Sequence, residues 1–148
     1  MTSKNVPFAN VGPKDAFNHL LKVGDILVSS WGYSMIIVDF YKVIKVMPKM
    51  IEYVRIDEKD MVSTGFLCGT VMPDPDRERE RTDYVVISAS GAKGPIKVRD
   101  TYRRRTMLQY NLLDDGREHA VTVVKNHCST HAVATLWNGK PVYFNHCD

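Results

Sequence analysis

The sequence has no long apolar run: nothing approaches the roughly 18 consecutive apolar residues that cross a bilayer as a helix. It has only three cysteines among 148 residues, and a small odd number argues against a disulfide framework. Met1–Gly12 carries one lysine and no apolar core, so it does not match a signal peptide. These absences exclude a helical membrane protein, a membrane partner and a disulfide-rich exported scaffold. They predict a cytoplasmic protein with reduced thiols.

Neither sign of charge dominates the sequence, because the formal net charge is only +3. Up to Asp74, eight basic residues are matched by eight acidic ones, whereas from Pro75 onward twelve basic residues face nine acidic ones. The excess is concentrated between positions 93 and 105, where Asp100 is the only acidic residue. The basic residues of this segment are Lys93, Lys97, Arg99, Arg103, Arg104 and Arg105.

Motifs that carry catalysis are missing as well. The chain contains no G-x-S-x-G, no H-E-x-x-H and no glycine-rich phosphate loop. Cys128 lies close in sequence to several histidines and would be a nucleophile if a base and an oxyanion hole were positioned around it. Nothing in the sequence supplies either, so the sequence predicts a non-enzymatic protein with no cofactor and no small-molecule ligand.

What is present is mostly strand pattern. Pro13, Asp15 and helical apolar spacing up to Leu21 predict one short N-terminal helix that ends at Gly24, after a flexible arm over residues 1–12. Residues with high strand propensity then predict an antiparallel meander over 25–31, 35–47, 51–56 and 65–72. Within it, alternation places Glu52, Val54 and Ile56 on one face and Ile51, Tyr53 and Arg55 on the other.

The second half of the chain is more broken. The charged segment Pro73–Thr82 contains two prolines and predicts a loop. The dipeptide Asn138-Gly139 predicts a tight turn that joins flanking strands over 133–137 and 142–144 into a hairpin. Short strands separated by turns at roughly 8–12-residue intervals indicate a barrel or sandwich. We therefore predict a mainly β fold, a small bent antiparallel barrel of SH3-like or related type, as one domain over residues 13–148.

Three short motifs resemble a known family. They are Gly24-Asp25-Ile26-Leu27-Val28-Ser29-Ser30-Trp31-Gly32-Tyr33, then Asp39-Phe40-Tyr41-Lys42-Val43, then Leu136-Trp137-Asn138-Gly139-Lys140-Pro141. They are similar to the pattern of small uncharacterised proteins of bacteriophages and mobile elements. The resemblance covers about a third of the chain. It implies a phage-type origin, hence a host-cell cytoplasm, and a compact β fold. It brings no activity and no catalytic residue.

The aromatic turn around Gly32 is the first candidate site. Trp31, Tyr33 and Tyr41 would stack bases or cradle a peptide if they formed an exposed surface. The alternative is structural, because aromatic side chains dominate the energetics of cores.

The basic segment is the second candidate site. Its lysines and arginines, Lys93, Lys97, Arg99, Arg103, Arg104 and Arg105, suit phosphate contacts, and the interleaved Tyr102 suits base stacking. The alternative is a solvated surface strand or loop. A strand would bury at least one arginine of the triplet, so a loop or a helix end is predicted for it.

The third candidate site is a zinc centre near the end of the sequence. If the hairpin over 133–144 forms, its two ends meet and bring Cys128 and His131 near His146 and Cys147, which together would supply four ligands. The alternative is an ordinary terminal hairpin without metal.

Taken together, the sequence predicts a phage-type accessory binding module. Its partner would be nucleic acid or a host protein that handles nucleic acid. Two alternatives stay open: a protein-interaction or inhibitor module without nucleic-acid contact, and a zinc-dependent enzyme or zinc-stabilised fold.

Overall fold

A computed structural model describes residues 21–112, 118–128 and 132–146 of the chain. Within these ranges the chain forms strands and no helix. The predicted arm and residues 13–20 of the predicted helix lie outside the described residues, whereas residues 21–24, where the helix was expected to end, are described and are not helical. In chain order the strands are β1 (Ile26–Trp31), β2 (Ile37–Met47), β3 (Met50–Gly65), β4 (Cys68–Glu78), β5 (Glu80–Val86), β6 (Lys93–Arg99), β7 (Thr101–Arg105), β8 (Met107–Leu112), β9 (Glu118–Lys125), β10 (Val133–Leu136) and β11 (Val142–Asn145).

Nine of these strands form one curled antiparallel sheet. Eight follow the order β11-β4-β3-β2-β1-β10-β9-β8, and β7 pairs with β3. The curl returns β11 toward the start of β2, because the backbone groups of Ile36 and Asn145 exchange hydrogen bonds of 2.7 and 3.0 Å. The result is a half-barrel, which confirms the predicted mainly β class and the bent antiparallel architecture.

Strands β2 and β3 are apolar on both faces, so the sheet separates two core clusters. The first cluster contains Tyr41, Val43, Ile51 and Tyr53 and receives Val124 from β9. The second contains Val38, Phe40, Val54, Ile56 and Val71. The alternation predicted for residues 51–56 is therefore confirmed: Ile51 and Tyr53 enter one cluster, and Val54 and Ile56 enter the other. A slip by one residue would move each of these side chains to the opposite cluster.

The loop predicted for Pro73–Thr82 is wrong, because this segment supplies the end of β4 and the start of β5. Pro73 pairs with Glu58 in the ladder, and Pro75 is tolerated because the β3–β4 pairing shifts there: Asp57 pairs with Asp74, whereas the adjacent Ile56 pairs with Glu78. The intervening residues bulge out of the ladder, and a bulge accommodates a residue without a backbone N–H group. The carbonyl of Pro75 instead accepts a 2.9 Å hydrogen bond from Lys42 Nζ.

The predicted hairpin over 133–144 is also wrong. Strand β10 pairs with β9 and β1, and β11 pairs with β4, so the two strands diverge after the turn. The turn itself is present, since Gly139 has φ +86° and Asn138 Oδ1 accepts the backbone N–H of Lys140 at 2.9 Å. The turn was therefore predicted correctly, but the two strands that flank it pair with other strands and not with each other.

Across the described ranges we find no helical segment whose length and apolarity suit a membrane crossing.

Candidate nucleic-acid interface

The arginine triplet lies in a strand, not in the predicted loop or helix end. Strand β7 pairs with β3 so that Tyr102 lies opposite Tyr53, Arg103 opposite Glu52 and Arg104 opposite Ile51. Because paired residues share a face, Tyr102 and Arg104 lie on the side of the first core cluster. Arg103 and Arg105 lie on the other side and are exposed. The strand therefore turns one arginine of the triplet inward.

Arg104 is held by backbone groups. Its guanidinium donates hydrogen bonds to the carbonyls of Asn126 (3.3 Å), His127 (3.1 Å) and Arg103 (2.8 Å). It also lies 5.2 Å from the centroid of the Tyr102 ring, a cation–π distance. These hydrogen bonds connect β7 to the end of β9. Because carbonyl groups carry no net charge, Arg104 still contributes a positive potential.

Tyr102 packs inside the protein and does not form an open stacking surface. It is half-buried, with its ring centroid 6.0 Å from that of Tyr53 and 5.8 Å from that of His127. Arg81 approaches the same ring at 5.7 Å. The predicted stacking of Tyr102 on a base would require these neighbours to move.

Two other predicted phosphate contacts are committed to carboxylates. Arg99 makes a two-pronged ion pair with Glu78 at 2.8 and 2.9 Å, and the same carboxylate binds Lys42 at 3.0 Å. Hydrogen bonding from Arg99 lowers the pKa of Glu78. Arg103 pairs with Glu52 at 3.0 Å, although 61% of the Arg103 side chain stays exposed. Much of the positive charge of the basic segment is therefore balanced by carboxylates of the same chain.

All three arginines of the triplet line a groove. Its walls are formed by the side chains of Met50, Arg103, Arg104, Arg105, Met107 and Lys125, and its volume is about 390 Å³. No carboxylate belongs to this set of lining residues. Lys125, at the end of β9, is a residue that the sequence analysis missed, because only the sheet order brings it beside β7. We call this feature the basic groove.

Lys93 and Lys97 are on a different part of the molecule. Both are exposed on β6, which pairs only with β5 in a two-stranded ribbon over residues 80–99. Of the predicted nucleic-acid residues, the structure brings together the arginine triplet and separates it from these two lysines.

The predicted aromatic surface is reduced to one residue. Tyr41 is fully buried in the first core cluster. Trp31 is half-buried, and its indole N–H donates to Asp39 Oδ2 at 2.7 Å. Tyr33 is fully exposed. Gly32 has φ +129°, and a Cβ there would collide with the carbonyl oxygen of Met35, so this glycine is required by the turn.

A buried polar network is joined to the groove by the hydrogen bond of Arg104 to the carbonyl of His127, and the sequence analysis did not find it. Arg55 bridges two carboxylates, with Nη2 3.1 Å from Asp39 Oδ1 and Nη1 3.4 Å from Asp100 Oδ2. The side chains of Asp39 and Asp100 are 10% and 6% exposed. The Tyr41 hydroxyl lies 2.8 Å from Nδ1 of His127, and that ring nitrogen is 4.0 Å from Asp39 Oδ2. Positive and negative charges alternate in this network, which indicates a structural role.

The protonation state of the network follows from its burial. Burial raises the pKa of Tyr41, so the hydroxyl keeps its proton and shares the 2.8 Å hydrogen bond with His127 Nδ1. Burial, followed by the nearby Arg55 guanidinium, lowers the pKa of His127. His127 is therefore neutral at pH 7.

The pKa of His127 predicts an acid-sensitive fold. Since the folded pKa is below that of the unfolded chain, the contribution of neutral His127 to stability is present above about pH 6.5 and is lost as the pH falls toward the folded pKa. We expect His127→Gln to reduce the slope of unfolding free energy against pH, measured by urea unfolding between about pH 7.5 and 5.5. His146→Gln, at an exposed position, is the matched control. An unchanged slope in His127→Gln would contradict the assignment.

The predicted zinc site loses the argument on which it was based. Cys128 and His146 are described and exposed, whereas His131 and Cys147 lie outside the described residues. The hairpin that was expected to join them does not form. Among the described residues, no three His, Cys, Asp or Glu side chains come together as a metal centre. Cys68 and Cys128 are free thiols.

Comparison of the chain with protein-family models, with curated proteins and with solved structures finds no match.

Proposed function

We propose that the protein is a non-enzymatic binding module whose basic groove contacts the phosphates of nucleic acid. The observation that carries the proposal is the lining of that groove, which combines four cationic side chains with two methionines, and of these cations only Arg103 has a carboxylate partner described above. Arginine and lysine side chains supply the electrostatic part of nucleic-acid affinity. Methionine is a flexible apolar side chain that adapts to different partners, which suits contact with bases of any sequence.

The accessory, phage-type character of the module and its location in a host-cell cytoplasm are part of the proposal and rest on the resemblance of the three sequence motifs. A kinship of the half-barrel to SH3-like barrels belongs to the proposal too. The curled antiparallel sheet supports it.

The test is a salt titration of binding to labelled single- and double-stranded DNA and RNA. If Arg105 and Lys125 each contact a phosphate, Arg105→Ala with Lys125→Ala weakens binding to every sequence alike. The log–log salt slope becomes shallower by about 1.4–1.8 for the two lost contacts, the lower figure applying to single strands. Fluorescence anisotropy gives both quantities.

The matched control is Lys93→Ala with Lys97→Ala, which removes the same charge from the ribbon. It should leave the salt slope at its wild-type value. Equal losses in the two variants would show that net charge is sensed and that the groove is not the site. Absence of binding at low salt would remove the nucleic-acid proposal altogether.

A second candidate is a protein-interaction module with no nucleic-acid contact. It is favoured by the apolar side chains exposed on two hairpins, among them Phe66 and Tyr84, because contiguous exposed apolar surface marks protein interfaces. A pull-down from bacterial lysate with and without nuclease separates the two candidates. Loss of every partner after nuclease treatment would count against this one.

A further inference from the structure

The β5–β6 ribbon leaves the sheet at the middle of β3 and returns to the same place. At its foot Arg79 donates its backbone N–H to the carbonyl of Arg55 at 2.8 Å, and Asp100 donates to the carbonyl of Arg79 at 3.1 Å. Beyond this foot, β5 and β6 pair only with each other. Seven paired residues in each strand extend about 23 Å at 3.3 Å per residue.

The far part of this ribbon is apolar and exposed. Tyr84, Val85, Val86, Ile87 and Ile96 have exposed fractions between 41% and 68%. A two-stranded hairpin is at best marginally stable in water when nothing packs against it. The exposed apolar side chains are typical of an interface, and contact with a partner would stabilise the ribbon.

One face of the ribbon combines apolar and basic side chains. The pairing places Val86 opposite Lys93 and Tyr84 opposite Pro95, and Lys97 follows on the same face. Between residues 80 and 99 there are four basic and two acidic residues. A partner for this face must be apolar and must carry negative charge.

A second exposed apolar hairpin answers this description. The end of the β3–β4 hairpin carries Met61, Val62, Phe66 and Leu67, which are 51% to 81% exposed. Between residues 57 and 77 there are five acidic and two basic residues, so its charge is opposite to that of the ribbon. We call residues 57–77 the acidic hairpin.

The turn of the acidic hairpin is kept in an unfavourable conformation. Leu67 has φ +56°, a region that a leucine rarely adopts and that costs free energy compared with glycine. The carbonyl of Leu67 accepts the backbone N–H of His146 at 2.8 Å, so the turn is held within the chain while the leucine side chain stays exposed.

We propose that the β5–β6 ribbon of one copy of this chain docks on the acidic hairpin of a second copy. The two surfaces are different, so the contact is head-to-tail, and repeated contacts of this kind form a closed ring or an open chain. The inference goes beyond the proposed function and does not depend on it.

The test uses two variants that each disable one side of the contact. Tyr84→Ser with Val86→Ser disables the ribbon, and Met61→Ser with Phe66→Ser disables the hairpin. The wild type should show a mass above that of the monomer that rises with concentration in sedimentation velocity. In each variant the dissociation constant of self-association should rise at least tenfold for each substituted apolar side chain, roughly the effect of truncating an interface hot spot.

Mixing the variants gives the decisive result. An equimolar mixture contains one intact ribbon and one intact hairpin on different chains, so it should form a species of twice the monomer mass and nothing larger. Tyr33→Ser, which removes an exposed aromatic residue remote in sequence from both hairpins, should behave as the wild type. Unchanged circular dichroism confirms that each variant is folded.

Charge supplies an independent arm of the test. Lys93→Glu with Lys97→Glu should weaken wild-type self-association, and added salt should weaken it as well. A wild type that stays monomeric up to its solubility limit overturns the proposal, as does a mixture that does not restore the dimer. Binding of the monomer to lipid vesicles that is lost in either double variant would instead assign the apolar hairpins to a membrane surface.

The two proposals fail separately. Arg105→Ala with Lys125→Ala leaves self-association intact if the groove binds nucleic acid. Tyr84→Ser with Val86→Ser leaves the salt slope of nucleic-acid binding intact if the ribbon binds a second copy.

Discussion

Arg55→Met lowers the free energy of unfolding by about 3–5 kcal/mol. The guanidinium of Arg55 is the cation between the nearly buried carboxylates of Asp39 and Asp100, at 3.1 and 3.4 Å. Methionine fills a similar volume but leaves both carboxylates without this partner in a poorly solvated environment. The cost of an uncompensated buried charge exceeds the gain from added apolar contact. Urea unfolding followed by circular dichroism measures the difference.

The matched control is Arg77→Met. Arg77 is also an arginine of a β-strand with an aspartate partner, but its side chain is 73% exposed and its nitrogen lies 3.7 Å from Asp57. Surface ion pairs of this kind contribute little, so a change below about 0.5 kcal/mol is expected. Adding Asp39→Asn and Asp100→Asn to Arg55→Met should recover part of the loss, because the stranded charges are removed. Equal stabilities for the Arg55 and Arg77 variants would contradict the network.

Arg104→Ala costs about 2–3 kcal/mol, because two carbonyl oxygens just after β9 then lose a charged hydrogen-bond donor. The carbonyls of Asn126 and His127 accept from Arg104 at 3.3 and 3.1 Å. The arginine also covers the ring of Tyr102, so its removal takes away packing as well as hydrogen bonds. Thermal and urea unfolding detect the loss.

Arg105→Ala is the matched control for this second prediction. It removes an identical side chain one position along the strand, on the exposed face, and should change stability by less than about 0.5 kcal/mol. A triple alanine variant of the arginines would therefore mix a folding defect with any loss of binding. If Arg104→Ala is as stable as Arg105→Ala, the hydrogen bonds of Arg104 contribute nothing to the fold, and its charge is available to a ligand.

The meander could be predicted because strand propensity and alternation within β1, β2 and β3 are visible in short stretches of sequence. Strand-forming residues are continuous in β2, and the alternation in residues 51–56 assigns each side chain to the correct core cluster. Such patterns depend only on the period of the strand. The curl of the sheet and the position of β7 on β3 depend on pairings between distant segments, for which the sequence has no local pattern.

The errors have the same physical origin. Pro75 indicates a loop by its own chemistry, and the bulge that accommodates it is set by the partner strand. Asn138-Gly139 indicates a turn correctly, but Thr135 pairs with Val28 and Phe144 with Gly69. In both places tertiary pairing overrode a correct local preference.

The buried network was missed although a sign of it was present. Asp39 lies between Val38 and Phe40, and Arg55 lies between Val54 and Ile56. A single charged residue within a strand that is apolar on both faces has to be paired when it is buried. That pattern predicts two buried charges, and the identity of their partners comes only from the fold.

The position of the ribbon foot has a consequence for how the chain tolerates insertion and deletion. Strands β4 and β7 occupy successive stretches of the same edge of β3, and the chain leaves at Arg79 and re-enters at Asp100, which are hydrogen-bonded to each other. Lengthening or shortening what lies between two such neighbouring points moves neither core cluster. Doubling the length of the segment adds only about 0.6 kcal/mol of loop-closure entropy. Among the described residues, the ribbon is thus a segment whose length can change while the half-barrel keeps its pairing.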